Sequence, residues 1–145
     1  MRYEKMTEEQ QEAMLARLYR RLNKRLFNNE LNPLPIWVVD KIDWTDDGEA
    51  WAAFSAEKQR FYFSSILNDD LSTMKKDDQL WFLASLLTHE MTHQYCWENG
   101  IDDSNHNAAF WEELEKRGLK RELIDGEWRQ KPSLLIWYAV YTFKF

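Results

Sequence analysis

The chain has 145 residues, 44% of them hydrophobic and 15% aromatic, with a formal net charge of −6. That is one domain's length with enough apolar material for a core, which excludes a disordered segment, and the acidic balance excludes a polyanion binder that is basic over its whole surface. The one cysteine, Cys96, excludes a disulfide framework and a four-cysteine zinc ribbon within these residues, and the three histidines are few enough to be accounted for individually.

Thr7 followed by Gln10 has the pattern of a capping box. Leu15, Leu18, Tyr19, Leu22 and Leu26 then recur at helical spacing, which predicts an amphipathic helix ending about residue 27. Its polar face carries Arg17, Arg20, Arg21, Lys24 and Arg25, a stripe that could meet phosphates or be solvated. Asparagines and prolines at 28–35 break the chain. Ile36–Val39 reads as a strand, residues 43–49 as an acidic turn, and residues 50–54 and 60–64 as two further strands. Asn68, Asp69 and Asp70 read as another break. A second helix is expected from Asp77 or Asp78 to about residue 99, with Gly100 as its cap. A polar loop over 101–105 leads to a third helix over 107–117, closed by Gly118. Residues 120–131 are charged and read as loop, and the aromatic–polar alternation of 133–145 predicts a terminal strand. The pattern is an α+β domain in which three main helices pack on a small antiparallel sheet of about three strands. The chain divides into a core over 1–118 and an extension over 119–145. The start of the chain is polar and no stretch is long and apolar enough to span a membrane, so a cytoplasmic monomer is expected.

The second helix contains His89-Glu90-Met91-Thr92-His93, an H-E-x-x-H pattern. Histidines four apart share one face of a helix, so both imidazoles can reach one ion, and Glu90 stands beside the first of them. Zinc in such a site lowers the pKa of water, and the carboxylate takes the proton. A catalytic zinc needs a third protein ligand and an open position. His106, the one remaining histidine, is favoured; Glu113, twenty residues after His93, and its neighbour Glu112 are the rivals, though both fit a solvated helix face. Asp102 and Asp103 could back a ligand histidine. Cys96 reads as a small core residue. Trp37, Trp44, Trp51, Trp81, Trp97, Trp111, Trp128 and Trp137 read mostly as core, with Trp44 and Trp51 as candidates to line a groove.

Over most of residues 15–118 the chain resembles the SprT-like domain of the SprT/Spartan zinc metalloproteases. The resemblance runs through Leu18, Asn23, Phe27 and Leu31, then Phe61-Tyr62-Phe63-Ser64 and Leu67, then residues 86–93 around the H-E-x-x-H, and ends on His106-Asn107-Ala108-Ala109-Phe110, similar to the family's H-G-x-x-F with asparagine for glycine. It implies one zincin-like SprT-type domain with His89, His93 and His106 as ligands of one Zn(2+) ion and Glu90 as catalytic base. It also implies protein substrates, notably proteins crosslinked to DNA, with DNA as a further partner. The expected function is therefore zinc-dependent peptide-bond hydrolysis. The alternative is a non-catalytic zinc-containing binding or inhibitory module, of the kind a phage or mobile element encodes.

Overall fold

The computed structural model describes residues 1–45 and 48–145; Asp46 and Asp47, in the expected acidic turn, lie outside the described residues. Helix α1 (Glu8–Leu26) opens on the predicted capping box: the Thr7 hydroxyl accepts from Gln10 N at 3.1 Å, and Gln10 Oε1 accepts from Thr7 N at 3.0 Å. Its apolar stripe, including Met14, Leu15, Leu18 and Leu22, is buried. Buried Asn23 holds the exit of the helix, because its amide donates to Leu31 O and accepts from Leu31 N.

Strand β1 (Ile36–Val39) follows, then a small hairpin of β2 (Ile42–Thr45) and β3 (Gly48–Ala50), then β4 (Ala52–Ser55) and β5 (Arg60–Ser64). The main sheet has the order β1-β5-β4. It is mixed rather than antiparallel: β4 pairs antiparallel with β5, but β1 runs parallel to β5, with Ile36 opposite Phe61. The β2–β3 excursion and β4 together reverse the chain twice, which returns β5 in the direction of β1. Alternation on β5 buries Phe61 and Phe63, while Tyr62, on the other face, packs edge-on against Trp37 and Trp44.

Where a break was expected, Leu67–Ser72 forms a short helix, α2. Leu67 and Leu71, one turn apart, are buried, and Asp69 and Asp70 suit its positive end. Helix α3 (Lys76–Glu98) runs across β4 and packs on its other sides against α4 (Ala108–Lys116) and the C-terminal segment.

The region after α4 differs most from expectation. Residues 120–131 are not loop: β6 (Leu119–Ile124) and β7 (Glu127–Pro132) form a hairpin in full antiparallel register. Its turn is Asp125-Gly126, with φ of 51° and 81°, the mirror-image turn that Asp-Gly favours. The terminal strand expected over 133–145 is instead a helix, α5 (Leu134–Val140). Ile136, Ala139 and Val140 are buried at helical spacing, and the Ser133 hydroxyl accepts from Leu135 N at its start. That buried stripe outweighs the aromatic alternation, whose remaining members face outward. Gly118 permits the return: its φ is +93°, and a Cβ there would stand 3.0 Å from Leu135 Cβ. Leu119, Ile136, Ala139 and Val140 belong to the same buried cluster as α1, α3 and the sheet. The segment 119–145 thus completes the core rather than extending from it. Among the described residues, no helix is long and apolar enough to cross a membrane.

On α4 the buried Glu113 carboxylate accepts from Arg117 at 2.7 Å, and the guanidinium lies over the rings of Tyr95 and Phe27. Removing one member strands the other charge inside. Glu113→Ala is expected to lower stability by about 3–5 kcal/mol in urea unfolding; a loss below about 1 kcal/mol, the range of surface pairs, would show that the pair is not needed.

Candidate metal centre

His89 and His93 project from one face of α3, a turn apart. His106 arrives from the turn before α4, where Asn105 and His106 both adopt left-handed backbone, φ 56° and 49°. Asparagine and histidine are both among the non-glycine residues enriched in that conformation. Asn107, which stands where the resembled motif has glycine, has an ordinary φ of −68°. It is the N-cap of α4 instead, its Oδ1 accepting from Phe110 N at 3.0 Å and its Nδ2 donating to Asp102 O at 2.8 Å.

This turn places His106 Nε2 3.2 Å from Nε2 of both His89 and His93. Three nitrogens on a tetrahedral zinc at 2.0–2.1 Å stand about 3.3–3.4 Å apart, so the donor set fits zinc in spacing and chemistry. Among the described residues, these three histidines are the one group of potential metal-ligating side chains so gathered. Glu113 is committed to Arg117 and Lys116, and Glu112 is exposed, so neither rival joins the cluster. Phe110 forms the floor, stacked on His93 at 4.2 Å and edge-on to His89 and His106.

The outer nitrogens are also engaged. His93 Nδ1 lies 2.6 Å from Asp103 Oδ2, and His89 Nδ1 lies 2.6 Å from Gln130 Oε1. Both partners are acceptors, so each Nδ1 carries the proton and each Nε2 lone pair faces the centre. Asp103 is one of the two expected backing acids; Asp102 instead accepts from Ser104. Gln130 was not foreseen. It sits on β7, in residues that read as loop, and only the Asp125-Gly126 turn signalled a strand there.

Burial, with the neighbouring His93 and His106, pushes His89 down to about 3, against the smaller effect of Gln130. Burial also lowers His93, with Asp103 opposing. Both shifts favour the neutral form of these two imidazoles, as metal binding requires. Burial pushes the Glu90 carboxyl up to about 8, partly offset by a hydrogen bond from the Phe54 backbone.

A cleft of about 630 Å³ runs over the three histidines and Glu90, bounded by Trp44 and by Ala52, Ala53 and Phe54 of β4. Since β5 is flanked by β1 and β4, the sheet edge beside the histidines is β4. The tryptophans are mostly not core: six of the eight are exposed, several in edge-on pairs at the surface, as Trp51 is with Phe82, while Trp81 and Trp111 are half-buried against the core. Trp44 does line the cleft, as expected, and Cys96 is buried in the core. The basic stripe is divided. Arg17 donates to Lys144 O and Arg21 to Tyr141 O, both over the Phe143 ring, so these two hold the C-terminal segment. Arg20, Lys24 and Arg25 stay exposed.

Compared with protein-family models, with curated proteins and with solved structures, the chain matches none.

Two predictions follow from the outer partners and the buried acid. Asp103→Ala and Gln130→Ala should each weaken zinc binding by about 10- to 100-fold in chelator competition; unchanged affinity in both would remove their role. In the metal-free protein, between pH 3 and 6.5 unfolding adds a proton to His89, so stability rises with pH; between pH 4.5 and 8 the folded chain keeps a proton on Glu90 that the unfolded chain loses, so stability falls with pH. Between pH 4.5 and 6.5 these two slopes oppose and cancel, so denaturation across pH should show their net effect as a decline from about pH 6.5 towards pH 8 that Glu90→Gln abolishes; an equal decline in that variant contradicts the assignment.

Proposed function

We propose that the chain is a zinc-dependent metallopeptidase of the SprT-like, zincin type, cleaving protein substrates. The observation that carries this reading is the convergence of the three histidines, with His106 Nε2 3.2 Å from Nε2 of both His89 and His93, and Glu90 beside them in a cleft bounded by the β4 edge. The order of elements supports the SprT-like part: an opening helix that Asn23 pins to Leu31, a small sheet, the helix of His89 and His93, and the turn of His106.

His89, His93 and His106 would hold the ion, with Asp103 and Gln130 fixing the first two rings. Bound there, zinc supplies Lewis acidity that activates water and polarises the scissile carbonyl. Glu90 takes one proton from the attacking water as its oxygen bonds to the carbonyl carbon. It then delivers that proton to the amide nitrogen as the C–N bond breaks. Burial favours the neutral carboxyl in the metal-free chain, and a cation beside it restores the carboxylate that the first transfer needs. An extended substrate would be held through its backbone by the β4 edge. Association with DNA or DNA-crosslinked protein rests on the family resemblance and on Arg20, Lys24 and Arg25.

Zinc-loaded Glu90→Gln should keep one zinc per chain and lose cleavage of an unfolded protein by at least about 100-fold. Full cleavage by that variant would remove the mechanism. Zinc binding with no cleavage by the wild-type chain would leave the non-catalytic module instead.

A further inference from the structure

Beside the metal cleft lies a cavity of about 350 Å³ that the mechanism above does not use. Its apolar walls are Trp51, Met74, Trp81, Phe82, Leu86 and Pro132. They come from the bend before β4, the α2–α3 link, α3 and the end of β7, so the cavity exists only because the C-terminal hairpin closes on α3. A connecting space of about 340 Å³ shares Trp51, Leu86 and Gln130 with this cavity, and Ala52, His89 and Glu90 with the metal cleft. The three spaces therefore lie in a row, and Trp51, directly before Ala52 of β4, borders the cavity.

The walls are fixed before any ligand arrives. Trp51 packs edge-on to Phe82 at 5.3 Å, and Trp81 edge-on to Trp137 of α5 at 6.0 Å. The polar groups are mostly committed. Ser85 Oγ donates to Trp81 O, and Gln130 Oε1 accepts from His89. Asp78 is exposed, at the rim. Trp81 Nε1 is buried without a partner, and the remaining walls are apolar, so an apolar occupant gains burial there and a charged one keeps little of its solvation away from Asp78.

We infer that this cavity is the specificity pocket of the site, taking a large apolar side chain, aromatic or long aliphatic, of the substrate near the scissile bond. The inference rests on the metallopeptidase reading and adds to it the class of sequence cleaved. Leu86 and Trp51 are its specificity-determining residues, bordering both the pocket and the space that adjoins the metal cleft.

The test is calorimetric titration of the zinc-loaded protein with three hydroxamates: acetohydroxamate, 3-phenylpropanohydroxamate and 6-aminohexanohydroxamate. The phenyl arm should tighten binding over acetohydroxamate by about 10- to 100-fold, and the amine arm far less. Leu86→Glu, at a half-buried position, should bring the phenyl-to-acetyl ratio close to one. Should that variant fail to fold by circular dichroism, Trp51→Ala, at an exposed position, should reduce the same ratio. Equal affinities of the phenyl and acetyl compounds, or an equal gain from the amine arm, would overturn the pocket and leave the metal reading standing. No binding of acetohydroxamate would overturn the open metal site and this inference together.

Discussion

His89 and His93 turn their Nε2 lone pairs to one place, because Gln130 and Asp103 accept from their outer nitrogens. His106 Nε2 stands 3.2 Å from both. A proton on His106 Nε2 can serve one of those lone pairs at a time, whereas a cation at the centre serves all three nitrogens at once. Burial disfavours charging His89 or His93 in its place. The remainder of the structure is arranged around that centre. A long helix keeps two rings in phase, and a left-handed turn delivers the third. A buried phenylalanine supports all three from below, and two acceptors from separate parts of the chain set their orientation.

Those acceptors explain why the last 27 residues belong to the site. Asp103 lies ten residues from its histidine, but Gln130 lies 41 residues away and reaches His89 only because β6 and β7 pair and fold back. The fold-back depends on the absence of a side chain at Gly118 and on the burial of one face of α5. Arg17 and Arg21 then fasten the end of the chain to α1. Residues whose spacing suggested a phosphate-binding face thus serve in part to anchor the segment that finishes both the core and the surroundings of the three histidines.

The legible part of the molecule was the part written in local spacing. His89, Glu90 and His93 are fixed by helical periodicity, and His106 by scarcity, since no other histidine was left. The capping box at Thr7 and the strand Arg60–Ser64 were readable because each is decided by residues close in sequence. What escaped was decided by contacts between distant segments. The parallel pairing of β1 with β5 depends on the path of the intervening hairpin. Both strands of β6–β7 are largely solvated, so they carry no apolar alternation, and only Asp125-Gly126 betrayed them. In α5 the buried stripe of Ile136, Ala139 and Val140 was hidden among exposed aromatics that alternate as a strand would. Gln130 could not be found at all from spacing, because a neutral amide becomes a partner of His89 only through tertiary pairing.

The central claim is that three histidines, and no sulfur or carboxylate from the chain, hold one zinc with a position left open. X-ray absorption at the zinc edge of the loaded protein measures this directly. The account predicts a shell of three imidazole nitrogens and one further light atom at about 2.0–2.1 Å, falling to two imidazoles in His106→Ala. A sulfur at about 2.3 Å, which only Cys96 or a methionine could supply, or a shell unaltered by His106→Ala, would contradict it.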